Sequence, residues 1–330
     1  LGAYVLVLAA VPLLVRITTG GQLIAAVAGT YALVALVDAL GADRVQVGDA
    51  VPARHHTDWS GTPPQQPLAL VRPRSTEEVS AVMRLCSAHR IAVVPQGGLT
   101  GLAGAAVPME GAVALSLDRM NRIEDIDAKT GLMQVQAGVT LQAVQEAAVD
   151  VGMVFGVDLG ARGSCQIGGN VSTNAGGNGV LQHGMMREQV LGLEVVLADG
   201  TVLPMLRPMI KNNTGYDLKQ FFIGAEGTLG FVVEATMRLD RAPKNLTAMV
   251  LGTTDFDSIM PVLHAFQGKL DLTAFEFFSD KALAKIMARG DVPPAFETDC
   301  PFYALLEFEA TTEEVANQAL ETFEYCVEQG

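Results

Sequence analysis

From about residue 42 the chain alternates short apolar runs with stretches of helical periodicity, and the punctuation between them is regular. Residues 68–72 (LALVR) read as a strand. After Pro73 comes Ser75-Thr76-Glu77-Glu78, in which Ser75 and Glu78 form a capping box that starts a helix. Val79, Val82, Leu85, Cys86 and His89 then recur at helical spacing. Residues 91–95 (IAVVP) are short and apolar enough for a buried strand, so 68–95 reads as a βαβ unit with parallel strands. A second such unit is expected from 131–138 through a helix at 140–151, closed by Gly152, into 154–157. Residues 190–203 (VLGLEVVLADGTVL) read as a hairpin turning at Asp199-Gly200, and 230–239 as another strand. Pro243 marks a domain boundary. Beyond it the pattern predicts strands at 246–253, 272–278 and 302–309, with helices at 256–267 and 280–288 between them. A last helix starts from a second capping box, Thr311 with Glu314, and runs to the end. A sheet with helices on one face calls for a further strand, so this final domain reads as partial.

The first 44 residues form an apolar leader. Residues 3–15 are apolar up to Arg16, and residues 23–40 are apolar but contain Gly29 and Asp38. Each run falls short of the ~20 apolar residues of a membrane helix. No basic region precedes the first run and no small-residue cleavage site follows it. A packed leader is the default expectation, with peripheral or anchored membrane association through residues 1–41 as the alternative.

Composition narrows the picture. A hydrophobic fraction of 49% with 18% charged residues excludes disorder and supplies a core for a 330-residue chain of two domains. The net charge of −14 opposes nucleic-acid binding, and an acidic substrate would need a local cation cluster or a metal. Cys86, Cys165, Cys300 and Cys326 form no C-x-x-C pair, which points to buried thiols in a reducing, cytoplasmic compartment. The histidines His55, His56, His89, His183 and His264 give no H-x-H or H-x₃-H pair. His55 and His56 would point to opposite faces of a strand, which disfavours shared metal ligation.

Chemistry concentrates in three segments. PQGGLTGLAGAAVP (95–108) follows an apolar strand, and Gly97, Gly98, Gly101 and Gly104 let backbone amides approach an anion while Thr100 adds a hydroxyl. A nicotinamide-type dinucleotide site is disfavoured. Asp118 lies near the distance for a ribose-binding acid, but the loop runs straight into an apolar strand with no room for a helix. No Lys-Ser/Thr pair supports a nucleotide-hydrolase loop. The second segment, VDLGARGSCQIGGNVSTNAGG (157–177), combines few charges with Asn170, Ser172, Thr173 and Asn174 and with apolar anchors at Val157, Leu159, Ile167 and Val171. It reads as an ordered loop around a ligand, not a linker. The third is KNNTGYDLKQFFIGAEGTLG (211–230), with Lys211, Lys219 and Glu226.

Together with GLEVVLADG, these three segments resemble FAD-linked oxidoreductases of the vanillyl-alcohol-oxidase/p-cresol-methylhydroxylase type, and within them the D-2-hydroxyglutarate, D-lactate and glycolate dehydrogenase branch. The resemblance covers roughly residues 45–330. It implies an α+β fold: a two-subdomain FAD-binding domain at 45–243 (subdomains about 45–120 and 121–243), then a partial antiparallel-sheet cap domain at 246–330. By the same resemblance Pro95, Gln96, Gly97, Gly98, Leu99, Thr100, Gly101, Leu102 and Gly104 cradle the pyrophosphate. Asp158, Leu159, Gly160, Ala161, Ile167, Gly168, Gly169, Asn170, Thr173, Asn174, Gly176 and Gly177 wrap the ribityl chain and the flavin ring. Glu226, Gly227, Gly230 and Val232 complete the pocket. Relatives with covalent flavin carry a histidine in the first loop; Gly98-Leu99-Thr100 stands there, so the FAD is expected to be non-covalent.

The branch oxidises a D-2-hydroxy acid to the 2-oxo acid by hydride transfer to flavin N5 and passes electrons to a quinone, an electron-transfer flavoprotein or oxygen. Its substrate-carboxylate arginine and its histidine-rich metal motif would lie past Gly330, so catalytic residues and the ligands of any divalent metal are unassigned. The alternative is a non-catalytic FAD-binding fragment or one subunit of a split flavoenzyme, as a homo-oligomer or with a partner subunit. Gln182-His183-Gly184 stands where relatives have Arg-Tyr-Gly, so His183 is either a swapped-in polar contact or a surface residue, and the surface is the expectation.

Overall fold

The structure, a computed structural model, describes residues 20–290 and 292–329, with residues 20–28 described as backbone only. The chain divides into two compact units. The first holds the described residues up to Phe155 together with Gly160–Ala175 and Met186–Leu239; the second holds Gly156–Leu159, Gly176–Met185 and the chain from Asp240 onward.

The first unit opens with helix α1 (Gly20–Leu40), whose Leu33, Leu36, Val37 and Leu40 pack into the same core as Val79 and Val113. Residues 1–19 of the apolar leader lie outside the described residues. Among the described residues no helix is long and apolar enough to cross a membrane. A four-stranded sheet follows, ordered β1 (Val45–Gln46), β2 (Ala69–Val71), β4 (Val113–Ser116) and β3 (Val93–Gln96). β2 and β3 both run parallel to β4, which lies between them, while β1 is antiparallel to β2. The middle strands β2 and β4 are buried on both faces, which is why Ala69–Val71 and Val113–Leu115 are apolar runs without alternation. Helix α2 (Thr76–Ala88) is capped by Ser75, whose hydroxyl accepts from the Glu78 amide at 3.3 Å, while the Glu78 carboxylate reaches one residue past the expected box and accepts from the Arg74 amide at 2.8 Å. It buries Val79, Val82, Met83 and Cys86, and each large aliphatic side chain buried this way stabilises by roughly 1.5–3 kcal/mol. Burial also pushes the Cys86 thiol up to about 11, leaving it inert at neutral pH.

The second sheet is antiparallel throughout, in the order β5 (Ile123–Asp127), β6 (Leu132–Gln136), β10 (Phe231–Arg238), β8 (Val190–Val196) and β9 (Val202–Met205). The hairpin turns at Asp199-Gly200, where the Leu197 amide donates to the Thr201 carbonyl at 2.8 Å. The second βαβ unit does not form. Helix α3 (Leu141–Asp150) follows β6, but the strand after it, β7, is only Met153–Val154 and stays out of this sheet. β5 and β10 already occupy both sides of β6, and Gly156 and Gly160 interrupt the apolar run. β5 escaped the sequence reading because IEDID carries too many acids to look like a strand. Three short helices also lie in this stretch: α4 (Ile167–Ser172), α5 (Val180–His183) and α6 (Met186–Gln189).

The second unit begins with a two-residue strand, β11 (Asp240–Arg241), and is built on an antiparallel sheet ordered β12 (Leu246–Thr253), β14 (Phe302–Glu309) and β13 (Leu272–Ser279). Its helices are α7 (Ile259–Gln267), α8 (Asp280–Met287) and α9 (Glu313–Gln329). Leu251, Phe266, Leu272, Leu306, Phe308 and Ala319 form its core. The cap of α9 is Thr312 and not Thr311: the Thr312 hydroxyl accepts from the Val315 amide at 3.3 Å. The helix starts one residue later than its sequence pattern implied, at Glu313. The architecture is the α+β class with antiparallel sheets that the sequence led us to expect.

Candidate functional site

In the first unit, β3 leads at its carboxyl end into the first glycine-rich loop, the kind of edge at which α/β sheets bind ligands. Gln96, 2% exposed, straps this loop. Its Nε2 donates to the carbonyls of His55 and Ala106, each at 2.9 Å, so one side chain ties the two ends of residues 96–106. Its Oε1 lies 2.8 Å from His55 Nδ1. An amide oxygen only accepts, so the imidazole proton sits on Nδ1, and Nε2 accepts from Arg54 Nε at 3.1 Å. Burial lowers the pKa of His55 and favours the neutral ring this network needs. His55 thus lies in a 3₁₀ turn (Ala53–His56), not in the strand first expected, and serves as a structural donor. Among the described residues no backbone amide from Gly97 to Ala106 donates to another protein group. A row of free amides with little side-chain bulk is suited to a phosphate.

The second and third segments close around this loop. A Cβ on Gly98 would lie 2.0 Å from the Ser164 carbonyl oxygen, so only glycine allows the two backbones to meet. One on Gly97 would come within 3.5 Å of Gln166 Oε1 and 4.0 Å of Gly169 Cα. The Glu226 amide donates to the Ser172 carbonyl at 2.8 Å, and the Gly224 amide to that of Val171 at 3.1 Å. Gly227 (φ +77°) returns to the start, because a Cβ there would lie 2.6 Å from Pro95 Cγ. Of the five described non-glycine residues with positive φ, three fall one on each segment: Leu99 (60°), Asn174 (49°) and Glu226 (53°). Such backbone costs roughly 1–3 kcal/mol per residue and concentrates at ligand sites.

The individual residues divide by role. Ile167 (0% exposed) and Asn170 (4%) face inward and anchor α4, and Val232 (3%) lies in β10. Thr173 Oγ1 donates to the Gly169 carbonyl at 3.0 Å. The flank of Gly169 is open, with no protein atom within 4 Å of a Cβ built there, and Leu102 is 77% exposed. Gly160 is likewise open, whereas the Ala161 carbonyl accepts from the Ser164 amide at 2.8 Å. Asp158, Leu159, Gly176 and Gly177 belong to the second unit, where a Cβ on Gly177 would lie 1.8 Å from the Asp158 carbonyl oxygen. In the same unit His183 departs from the expectation of a surface residue. Its side chain is 14% exposed, its Nδ1 lies 2.8 Å from Asp240 Oδ2, and it packs on Gly156, which has no side chain to obstruct it.

Arg187, on α6, was missed by the sequence reading. Its amide donates to Asn174 Oδ1 at 2.9 Å. Its guanidinium donates to the Gln220 carbonyl (3.0 Å), Gln220 Oε1 (2.7 Å) and the Ile223 carbonyl (2.6 Å), fastening the third segment beside the second. Asp118, at the ribose-acid distance, is held by the fork of Arg72 at 2.9 and 2.6 Å and by Arg54 at 3.2 Å. Lys219 bonds its neighbour Asp217 at 2.5 Å, which holds that carboxyl below its ordinary pKa against the opposing effect of burial. Among the described residues no group of three His, Cys, Asp or Glu could hold a metal ion.

Comparison with known proteins agrees with this geometry. Residues 67–205 match the FAD binding domain, and residues 242–330 match the C-terminal domain of FAD linked oxidases. The chain is 60% identical over 273 residues to D-2-hydroxyglutarate dehydrogenase of Stutzerimonas stutzeri, covering 83% of this chain and 59% of that protein. It is 44% identical to D-2-hydroxyglutarate dehydrogenase of Xanthomonas citri (90% and 63%) and 41% identical to the mitochondrial enzyme of Bos taurus (76% and 46%). The chain therefore spans about half to three fifths of the length of these relatives. Among solved structures, p-cresol methylhydroxylase with bound substrate superposes at a TM-score of 0.75 with 19% identity, over 93% of this chain and 65% of that one. An alkyldihydroxyacetonephosphate synthase gives 0.71, also at 19%, over 87% and 57%. At that identity these two likenesses speak for the fold alone.

The residues present fit FAD. Free amides along 97–106 suit its diphosphate, and two buried oxygens beside the same loop, Asp58 Oδ2 and Gln166 Oε1, have no hydrogen-bond partner. A cofactor bearing both phosphate and hydroxyl groups supplies what each lacks.

Proposed function

We propose that this chain, whose two family matches place it among the FAD-linked oxidases, is the FAD-holding portion of an enzyme that oxidises a D-2-hydroxy acid, D-2-hydroxyglutarate first among candidates, to the 2-oxo acid. The observation that carries the substrate class is the 60% identity to a D-2-hydroxyglutarate dehydrogenase. FAD, when bound, supplies the hydride acceptor, flavin N5, for the hydrogen leaving the substrate Cα. This chain's own residues bind and orient. The amides of 97–104 hold the diphosphate without a cationic side chain, and Gly169, Thr173 and Asn174 border the ribityl and ring portions. Glu226 and Gly227 close the pocket from the third segment. Attachment is non-covalent, because Gly98, Leu99 and Thr100 offer no nucleophile able to bond the ring. Residues 45–243 make up the FAD part and 246–330 the substrate-side domain, a division supported by the two family matches.

The acidic substrate would need a cation that the −14 charge of the chain does not provide in bulk. The reduced cofactor would pass electrons to a separate acceptor. Four free thiols, two of them buried, favour the cytoplasm. A visible spectrum of the purified chain after FAD loading, followed by anaerobic addition of D- and L-2-hydroxyglutarate, tests the proposal. Bleaching by the D-acid alone supports it. A bound flavin that neither acid reduces removes the substrate assignment, and a folded chain that takes up no FAD removes the cofactor reading as well.

A further inference from the structure

Asp58 stands out among the acidic side chains. It is 7% exposed, and its two carboxylate oxygens have different fates. Oδ1 accepts from the Ser60 amide at 2.9 Å, whereas Oδ2 is buried with no partner. A carboxylate oxygen withdrawn from water and left unpaired is costly and calls for a missing donor. Its place in the fold identifies that donor. The turn 58–62 lies against the first glycine loop: a Cβ on Gly101 would lie 3.9 Å from Asp58 Oδ2, and one on Gly104 3.0 Å from Thr62 Oγ1. With no side chain at position 101, nothing of that residue but its backbone stands near the carboxylate. A phosphate oxygen is excluded as the partner, since two anions at contact repel each other. The remaining donors on a flavin dinucleotide near its diphosphate are sugar hydroxyls, and acids beside glycine-rich phosphate loops take such hydroxyls elsewhere.

We propose that Asp58 is a cofactor-binding residue, its Oδ2 accepting a hydrogen bond from a hydroxyl of the FAD sugar chain, either the ribose of the adenylate half or the ribityl of the flavin half. This rests on the FAD reading given above and adds a residue to it. On this view the apo chain tolerates an unsatisfied oxygen that the cofactor satisfies, so FAD affinity and apo stability respond oppositely to its removal.

The test compares the wild-type chain with Asp58→Asn, oriented so that its oxygen still accepts from the Ser60 amide while an NH₂ replaces the orphan oxygen. FAD is titrated by flavin fluorescence, and the apo proteins are melted. The expected result is a dissociation constant raised roughly tenfold to a hundredfold, the range for a lost charge-assisted hydrogen bond, with apo melting unchanged or higher. ADP and FMN, used as competitors, identify the source. Weaker competition by ADP against the variant assigns the ribose, and weaker competition by FMN the ribityl chain. If the variant binds FAD as tightly as wild type, the oxygen has another donor and the proposal is overturned while the FAD reading stands. A variant with weaker FAD binding but an equally large loss of apo stability also overturns it, since Asp58 would then be a structural cap. If the folded wild-type chain takes up no FAD, both fail.

Discussion

Replacing Arg187 with methionine tests how the third segment is held to the site. The substitution keeps an unbranched chain and removes a guanidinium that donates to the Gln220 carbonyl, Gln220 Oε1 and the Ile223 carbonyl. The three bonds are not equal in cost. Ile223 is 2% exposed, so its carbonyl loses a donor that water cannot replace, a loss of about 1–3 kcal/mol. The Gln220 groups are half-buried and recover water, leaving about 0.5–1.5 kcal/mol. Together the local loss is about 1.5–4.5 kcal/mol. It falls on residues 220–227, whose other ties to the site include the Gly224 and Glu226 amides donating to Val171 and Ser172. Hydrogen exchange reads it directly: those two amides should exchange roughly 10- to 2,000-fold faster in the variant, while amides of β12 and β14 keep their rates. Arg187→Lys should fall between, because a single ammonium cannot span acceptors that a planar fork reaches at once. Unchanged exchange at Gly224 and Glu226 in Arg187→Met would refute the claim that Arg187 fastens this segment.

Three further outcomes follow from the same geometry. Gly98→Ala places a methyl 2.0 Å from the Ser164 carbonyl oxygen, so the first loop must move away from the second segment; FAD titration should find affinity at least tenfold weaker in a chain that still melts cooperatively, and wild-type affinity would refute the need for that close approach. Gln96→Leu leaves the His55 and Ala106 carbonyls and the His55 Nδ1 proton unpaired, and urea unfolding should register a loss of about 2–4 kcal/mol. Glu234 has its pKa raised by burial, with Glu194 adding repulsion. A carboxyl raised in the folded state is bound more tightly to its proton there, so its stabilising contribution is present below the ordinary glutamate pKa of about 4.3 and is lost as pH rises through the folded value. Glu234→Gln should therefore raise the melting temperature at pH 7 and lose that advantage below about pH 4; a difference independent of pH would rule the account out.

Local rules carried the sequence reading where one element was enough to decide the outcome. Ser75 caps α2, Asp199-Gly200 turns the hairpin, and β12 and β14 occupy the residues their alternation marks. The reading failed where a neighbour decides. Nothing in residues 131–157 reveals that β10 will take the place beside β6 that a returning parallel strand would need. Position 183 carries no spacing signal that separates a surface residue from a polar contact. Asp240, far along the chain, supplies the partner, and Gly156 supplies the space. Gln96 and Arg187 show the same limit from the functional side. A lone glutamine after a strand and a lone arginine in a short helix carry no spacing signal, and their roles exist only once His55, Ala106, Gln220 and Ile223 arrive.

The sequence leads one to expect the glycines of the three segments to yield to a ligand, yet several yield to the protein. Gly98 gives way to the Ser164 carbonyl and Gly227 to Pro95. The point on which these approaches converge is α4, only six residues long and far too short to be stable by itself. Ile167 and Val171, both fully buried, fix it in the first unit, and its carbonyls at Val171 and Ser172 receive the third segment while Ser164–Gly169 receive the first loop. The helix is therefore less a ligand-binding element than the support on which two binding loops are set. The free amides and the positive-φ residues Leu99 and Glu226 lie on those loops, where backbone that the protein leaves unsatisfied or strained is available to a cofactor. FAD bound there would satisfy groups that the apo chain cannot, so occupancy of the site and stability of the first unit should rise and fall together.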